Sequence, residues 1–433
     1  MHLTGRLALV IGLGVVPVVL LSAAGVPAWA VTGGWLALCV LVAGVDIAQS
    51  ADPKAVRVER DIPARALRDE RVTTRLLLHN TGARILRGRV RDGWQPTAGA
   101  PSARPQVTIP PGERRAVVIP LHPRRRGELR TGFVAIRTFG PFGLAGRQAA
   151  LEAPGALRVL PPFRSRRHLL SRLARLRELD GNTSVQVRGA GTEFDSLREY
   201  VRGDDVRSID WRATARAGTT MLRTWRPERD RHVVIVIDTG RTSAARVGDG
   251  VRLDAAMEAS LLLAALAARA GDHIHLILFD RLLRGRVTRT DGARLLPAMV
   301  EAMAPVEPQL IDTDWTAAIA QIATLTSRPS LVVLLTAQDS PDAARGFLGS
   351  FAAMRGDTHV LVGTATDLRE RPPAGAVADD VYLDAAQERA ARDAERVAAA
   401  VRRASGEAIT APADELPPRV ADRSLALKAN GLL

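Results

Sequence analysis

A long apolar stretch without a charged residue lies near the start of the chain and limits the classes of fold that it can adopt. No Asp, Glu, Lys or Arg occurs between Leu7 and Val45, a span about twice the ~20 residues that a helix needs to cross a bilayer. Gly25-Val26-Pro27 interrupts this stretch, and such residues favour a tight turn. We therefore predict a transmembrane helical hairpin over residues 1–50, with helices near Leu7–Ala24 and Trp29–Ile47.

A signal peptide is the alternative for the first apolar run, since Ala28-Trp29-Ala30 is similar to a cleavage site. That run is longer than the roughly 7–15 residues of a signal-peptide core, and the second run stops transfer in either case. The turn contains no cation, whereas five follow the second run. This asymmetry predicts a two-pass protein of the cell membrane with its bulk in the cytoplasm. The five cations are Lys54, Arg57, Arg60, Arg65 and Arg68.

The formal net charge is +14 and the pI is about 11.2, which admits two classes of partner. Lys and Arg could neutralise the phosphates of a nucleic acid, or the chain could lie beside an anionic membrane leaflet. No nucleic-acid-binding motif accompanies the charge, so the membrane interpretation is favoured. The one cysteine, Cys39, lies in the apolar stretch, which excludes an intrachain disulfide and a cysteine-clustered zinc site.

The middle of the chain is predicted to be all β. Over residues 54–160, short alternating runs such as Thr73–His79 and Ala116–Leu121 are separated by turn formers such as Pro110-Pro111-Gly112, a pattern typical of a sandwich. No catalytic cluster occurs there, so a structural module is expected. Residues 161–190 alternate Arg with Leu and predict an amphipathic helix. Its cationic face could contact the membrane or be a solvated face packed on a neighbouring domain.

Residues 231–415 predict an α/β domain, followed by a tail at 416–433. Apolar, β-branched runs such as His232–Ile237 and His273–Phe279 alternate with helical stretches such as Leu253–Ala270. This alternation indicates βαβ units and a mostly parallel sheet, whose ligand site lies at the carboxyl ends of its strands. Asp238 follows the first of these strands.

Between them, residues 191–230 contain the densest set of polar side chains. Paired carboxylates could serve acid–base or metal chemistry, but each has an Arg within a few residues. No Ser/His/Asp or Cys/His trio can be assembled nearby. Ion pairs of this kind fix a backbone, so a structural or protein-docking role is favoured over catalysis. The candidate residues are Glu193, Phe194, Arg198, Tyr200, Asp204, Asp205, Arg207, Asp210 and Trp211.

The segment GTEFDSLREYVRGDDVRSIDWRATAR, from Gly191 to Arg216, resembles the core of the family called domain of unknown function 58. HPRRRGELRTGFVAIRTFGPFGLAGR in the β region and LRVLPPF after it are similar to that family as well. The resemblance implies a multidomain chain with a transmembrane hairpin, a β-sandwich and a von Willebrand factor A-like (Rossmann-type) α/β domain. It also implies a MoxR-type AAA+ ATPase as partner and no established catalysis.

DTGRTS, from Asp238 to Ser243, resembles the metal-ion-dependent adhesion site of von Willebrand factor A domains, Asp-x-Ser-x-Ser. This resemblance implies Mg²⁺, a hard cation that takes oxygen ligands, with Asp238, Thr242 and Thr316 as ligands. Gly240 departs from the pattern because it has no hydroxyl, and Asp339 stands one place later than a third-loop aspartate would. The alternative is that Asp238 caps the following loop through backbone amides.

Three functions are therefore open. The first is a membrane-anchored scaffold that binds other membrane or cytoplasmic proteins and an AAA+ ATPase, without being an enzyme. The second is a hydrolase or transferase that uses the carboxylates of Gly191–Arg216. The third is a basic nucleic-acid-binding protein. The first is favoured, because an anchor is present and a catalytic trio is not evident.

Overall fold

The computed structural model describes residues 1–186, 193–202, 204–226, 231–248, 250–326, 328–338, 340–351, 354, 358–367 and 378–433, some of them only as backbone. Two compact units divide the chain. Unit 1 covers Met1–Leu160, which is described throughout, and unit 2 covers Pro161–Leu433.

Unit 1 contains three helices and ten strands. These are β1 (His2–Leu3), α1 (Gly5–Leu13), α2 (Val15–Ala23), α3 (Ala28–Gln49), β2 (Val56–Asp61), β3 (Arg65–Leu67), β4 (Val72–Asn80), β5 (Leu86–Trp94), β6 (Gln106–Ile109), β7 (Arg114–Leu121), β8 (Gly127–Thr138), β9 (Ala145–Gly146) and β10 (Gln148–Leu160).

The apolar start of the chain forms a helical hairpin. The helical stretches Gly5–Ala23 and Ala28–Ala55 are both long and apolar enough to cross a membrane. The helices approach closely at Gly14, where an added Cβ would lie 2.3 Å from Cδ1 of Trp35. The indole Nε1 of Trp35 donates to the carbonyl of Val10 across the hairpin at 3.2 Å. The two predicted apolar stretches are therefore helical and contact each other.

Both ends of the hairpin are fixed to one loop of the β region. β1 pairs antiparallel with β9, which ties down the residues before α1. At the other end, the buried carboxylate of Asp46 in α3 accepts backbone N–H bonds from Phe142 (2.9 Å), Leu144 (2.7 Å) and Ala145 (2.8 Å). Three oriented donors satisfy a carboxylate that would otherwise be costly to bury.

The β region consists of two sheets with a shared core. One has the strand order β3-β10-β8-β5-β6 and the other β2-β4-β7. Their inner faces carry alternate apolar residues such as Leu76, Val90 and Ile136, as expected of a sandwich. A buried ion pair joins the sheets, since Arg60 on β2 donates through two nitrogens to Asp92 on β5 at 2.8 and 2.9 Å.

Unit 2 contains eight helices and ten strands in the part of the chain that the structure describes. These are α4 (Leu169–Gln186), β11 (Glu193–Glu199), α5 (Trp211–Ala217), β12 (Met221–Arg226), β13 (His232–Asp238), β14 (Arg246–Val247), β15 (Gly250–Val251), α6 (Arg252–Arg269), β16 (His273–Phe279), β17 (Leu283–Val287), α7 (Leu295–Met303), α8 (Trp315–Leu325), β18 (Leu331–Leu335), α9 (Arg345–Ser350), β19 (His359–Thr366), α10 (Ala378–Arg403), β20 (Glu407–Pro412) and α11 (Leu416–Ala429).

A six-stranded sheet with the order β17-β16-β13-β18-β19-β20 forms the centre of unit 2. Its strands are parallel except for β17, which pairs antiparallel with β16 at one edge. Alternate residues of β13 enter different cores. Ile235 packs with α6, α7 and α11 on one face, and Val236 packs with α8, α9 and α10 on the other. The strands are apolar throughout because both faces are covered.

The last predicted domain boundary changes. The segment interpreted as a tail, 416–433, is largely α11, whose Leu416, Val420 and Leu427 enter the core of the α/β sheet. It therefore belongs to the domain, because its apolar residues cover one face of the sheet. The basic connector contains the helix α4, whose Leu173 packs against the cluster of Leu262, Leu266 and Ala421. This contact favours the packed alternative over a membrane-surface helix.

Candidate functional site

The reversal of strand order in unit 2 positions the candidate site. From β13 the chain passes through α6 to β16 on one side, and it later returns through α7 and α8 to β18 on the other side of β13. The crevice between β13 and β18 at their carboxyl ends is thus a topological switch point, where ligands of open α/β sheets bind. Asp238 ends β13 there, and Thr336 directly follows β18.

Asp238 is buried at this point, with 2% of its surface exposed. Its carboxylate accepts hydrogen bonds from the amide of Gly240 (2.8 Å) and from the hydroxyls of Thr313 (2.5 Å), Thr336 (2.6 Å) and Thr242 (3.3 Å). Burial raises the pKa of the Asp238 carboxyl group, and these four hydrogen bonds oppose the rise. The carboxylate therefore joins three separate loops and does not itself lie on the surface.

Backbone contacts hold the same loops in place. The amide of Arg241 donates to the carbonyl of Ile311 at 2.8 Å, and the amide of Gln309 donates to the carbonyl of Thr239 at 2.7 Å. Gly240 is required by the close approach, because an added Cβ would lie 2.4 Å from Oγ1 of Thr313 and 2.8 Å from the carbonyl oxygen of Ile311. A serine at this position would collide with the second loop.

The arrangement does not reproduce the Mg²⁺ ligand set that the resemblance implies. Thr242 is in the cluster, but Thr313 takes the place expected for Thr316, which lies exposed in the first turn of α8. Asp339 lies outside the described residues. The space of a first-loop hydroxyl at Gly240 is filled by the Thr313 side chain. Within the described ranges, no three His, Cys, Asp or Glu residues are grouped so as to hold a metal ion.

A second buried aspartate, which the sequence analysis did not single out, lies at the neighbouring strand end. Asp280 follows β16 and accepts from Oγ1 of Thr239 (2.9 Å), Nε of Arg284 (2.7 Å) and the amides of Arg281 (2.6 Å) and Leu282 (3.0 Å). Burial alone would raise the pKa of Asp280, but the bonds from Arg284 and the amides hold it below its usual range. The available signal was an aspartate directly after a buried strand, as at Asp238.

The surface above this cluster is charged. Nε of Arg241 lies 3.2 Å from the Oδ1 atom of Asp312, and their side chains are 49% and 74% exposed. Leu310, beside them in the chain, is exposed as well. Exposed charged and apolar side chains therefore lie next to the buried polar cluster.

The histidines of the central strands lie at the other end of the sheet. Nδ1 of His232 and Nε2 of His275 are 3.0 Å apart at the amino ends of β13 and β16. Burial, followed by the neighbouring His232 and His273, lowers the pKa of His275. Six residues of strand, about 20 Å at ~3.3 Å per residue, separate His232 from Asp238, so these two side chains do not form a catalytic pair.

Three described carboxylates of residues 191–230, those of Asp204, Asp205 and Asp210, are used in local structure. Asp204 accepts from Nη2 of Arg198 at 2.6 Å and from the Val201 amide at 2.9 Å. Asp205 accepts from the amide of Arg207 at 3.0 Å and begins the short 3₁₀ turn Val206–Ser208.

Asp210 is the N-cap of α5. It accepts from the amides of Arg212 (2.9 Å) and Ala213 (3.0 Å) and from Nε of Arg223 (2.8 Å). The hydrogen bonds from the backbone N–H of Ala213 and from the side chain of Arg223 lower the pKa of Asp210. These contacts are those of a fixed backbone.

Apolar side chains of the same segment face solvent. Trp211 is 71% exposed, Val201 62% and Val206 61%. Tyr200 is half-buried and Arg207 is exposed. The backbone of Glu193 and Phe194 pairs in β11 with β12, but their side chains lie outside the described residues. Exposed Trp on a fixed backbone is typical of a protein-binding surface.

Residues 196–411, about half of the chain, match the model of a family described as "Protein of unknown function DUF58". This part of the chain belongs to the DUF58 family. The match contains Arg198–Trp211 of the signature and the Asp238 cluster. No curated protein matches this DUF58 chain significantly in sequence.

Similarities of the DUF58 chain to solved structures are short and distant. A fragment of Escherichia coli alpha-2-macroglobulin, from domain MG7 to the C-terminus, is 18% identical over 24% of this chain and 16% of its own, with a TM-score of 0.21. The ASH/PapD-like domain of human CEP192 is 13% identical over 25% of this chain and 89% of its own, with a TM-score of 0.19. At these TM-scores the likenesses carry no conclusion about function.

Proposed function

We propose that this DUF58 protein is a membrane-anchored protein-binding module that acts with a MoxR-type AAA+ ATPase in the assembly or maturation of other proteins. The partner is the one that the sequence resemblance implies. In this proposal the hairpin holds the chain in the cell membrane, unit 2 lies in the cytoplasm, and its α/β domain is of the von Willebrand factor A-like type.

The exposed Trp211 carries the proposal. It stands at the start of a helix whose N-cap, Asp210, is itself held by Arg223, so its position is fixed without a partner. Truncating a Trp at a binding hot spot typically costs about 2 kcal/mol or more of binding free energy. Asp204, Asp205 and Asp210 are engaged by backbone amides and arginines, which supports docking over acid–base chemistry.

The membrane part is supported by the exposed apolar surface of the hairpin. Only 11% and 17% of the apolar windows of its two helical stretches are buried inside the protein. Lipid would cover this surface. Because both ends of the hairpin are fixed to the loop that contains Phe142–Ala145, the same side of the membrane holds both ends.

The test is co-purification of the full chain with an identified MoxR-type ATPase from solubilised membranes, in Mg²⁺ and in chelator. Trp211→Ala should reduce recovery at least about tenfold, which corresponds to ~1.4 kcal/mol of lost binding. Tyr382→Ala is the matched control, since Tyr382 is an exposed aromatic on α10 and its removal should leave recovery unchanged. Equal recovery with both variants, or no ATPase with the unaltered chain, would refute the proposal.

A further inference from the structure

Four arginines surround the base of the hairpin in unit 1, and we call them the basic collar: Arg84, Arg87, Arg89 and Arg137. The first three are exposed and the fourth is half-buried. Arg87 and Arg89 lie on the solvent face of β5, where alternate residues point outward. Arg137 on β8 is the direct cross-strand partner of Arg89.

No Asp or Glu pairs with the collar anywhere in Met1–Leu160, which the structure describes throughout. Its contacts are neutral. Nε of Arg137 donates to Gln148 at 2.6 Å, Arg84 donates to the carbonyl of Ala48, and the guanidinium of Arg89 lies 5.8 Å from the centre of the Phe139 ring. Elsewhere in the unit, Arg60 has a fully formed carboxylate partner.

The strand register makes the lack of a carboxylate partner destabilising for the sheet. Like charges directly opposite on neighbouring strands destabilise a sheet, and the pairing of Arg89 with Arg137 is such a case. An anion placed between the two guanidinium groups would attract both of them and so replace their mutual repulsion with a net attraction. Arginine is well suited to this, because its planar donors match the oxygens of a phosphate.

The position of the collar indicates where that anion comes from. The amide of Phe139 donates to the carbonyl of Arg87 at 2.9 Å. The ring centres of Phe139 and His2 are 5.3 Å apart, and His2 lies three residues before α1. At the other end of the hairpin, Arg84 donates to the carbonyl of Ala48 in the last turn of α3. The collar therefore lies at the level where the apolar helices end. In a bilayer this is the headgroup layer, about 5–7 Å thick on each side.

We propose that the basic collar binds the phosphates of anionic lipid headgroups, with Arg89 and Arg137 sharing one phosphate. The proposal rests on the hairpin spanning a membrane. The sandwich, expected from the sequence to be only a structural module, would then have a surface that binds one class of lipid. Each arginine near an anionic leaflet contributes roughly a fivefold preference.

The experiment uses the full chain reconstituted in phosphatidylcholine vesicles that contain spin-labelled phosphatidylglycerol or spin-labelled phosphatidylcholine. The unaltered chain should associate with phosphatidylglycerol at least about fivefold more strongly than with phosphatidylcholine. The double variant Arg89→Gln/Arg137→Gln should remove most of that preference. Arg71→Gln/Arg124→Gln is the matched control. Both residues are exposed and lie beside the Asp69–Pro123 contact, at the other end of the sandwich, so the preference should persist.

The outcomes separate the two proposals. A chain that fails to enter neutral vesicles refutes the membrane anchor and the collar together. A chain that enters them, but whose lipid preference is absent or unaffected by Arg89→Gln/Arg137→Gln, refutes the collar alone. Duplex DNA that binds the detergent-solubilised chain and is released by the same double variant would reassign the collar to nucleic acid and overturn the lipid assignment.

Discussion

Asp238 and Asp280 occupy equivalent places at the ends of adjacent strands, yet their surroundings differ. Asp280 has a guanidinium partner, Arg284, whereas the four hydrogen-bond partners of Asp238 are neutral. A buried carboxylate without a cation is destabilised in its charged form. The pKa values therefore move in opposite directions, upward for Asp238 and downward for Asp280.

The pKa rise at Asp238 predicts a pH effect on stability. The folded state binds the Asp238 proton more tightly than the unfolded state, where the pKa is about 4. Between that value and the higher folded pKa, the free energy of unfolding falls as pH rises. Thermal melts of the unaltered chain and Asp238→Asn should therefore show the unaltered chain losing stability relative to the variant as pH increases. A difference that grows in favour of the unaltered chain with pH would contradict this.

Thr313 and Thr316 offer a matched pair within one loop and helix start. Thr313→Val removes one donor to the Asp238 carboxylate and should lower the free energy of unfolding by about 1.5–3 kcal/mol, as expected for a hydrogen bond to a charged group. Thr316→Val changes an exposed side chain, and its effect should stay within ~0.5 kcal/mol. Denaturant titration of both variants measures the difference. Equal losses would show that Thr313 has no special role.

The sequence could identify Asp238 but not its second-loop partner. An aspartate after a continuous run of buried β-branched residues marks the end of a parallel strand, and this follows from periodicity alone. Thr313 and Thr316 flank the start of α8, and either could face the cluster. The choice depends on how Gly240 lets the two loops approach, which is a tertiary contact that no local pattern encodes.

At the scale of elements, Asp46 is the main attachment of the hairpin. The side chain sits one turn before the end of α3 and binds three amides of a loop far along the chain. A charged residue directly after 39 uncharged positions was visible in the sequence, but its partners are backbone groups, which leave no signature in side-chain identity. The contact could not be predicted for this reason.

Replacing Asp46 should open this attachment. Asp46→Ala leaves buried N–H donors without acceptors, which costs about 1–3 kcal/mol for each unsatisfied group. Hydrogen exchange of the Phe142, Leu144 and Ala145 amides should accelerate at least tenfold. Asp52→Ala is the control, because Asp52 caps only an exposed turn through Lys54 and should cost ~1 kcal/mol. Unchanged exchange in Asp46→Ala would mean that the strand pair β1–β9 alone fixes the loop.

Strands buried on both faces were predicted well, while edge strands were missed. His273–Phe279 was predicted with the observed bounds, because it is apolar without interruption. β20, Glu407–Pro412, was not predicted, since it lies at the sheet edge and mixes polar and small residues. The segment of α11 is predicted as a tail, although Leu416 and Val420 are one helical turn apart, a spacing that signals a buried helix face.

At the scale of the whole molecule, the opposed arginines and the candidate site both depend on long-range strand pairing. The high net charge is consistent with a membrane-associated chain, but only the register of β5 and β8 shows which arginines oppose each other. Likewise, the alternation of strands and helices predicted an α/β domain. The strand order that makes β13 a switch point follows from long-range pairing, which a single sequence does not reveal.

The hairpin is held at its beginning by β1 and at its end by Asp46, both on one loop. Because it is fixed at both ends, the hairpin cannot rotate freely relative to the sandwich. In the proposed membrane-anchored state, a torque that a partner exerts on the sandwich would pass into the helices, and the viscosity of the surrounding lipid would slow the rotation of the whole unit.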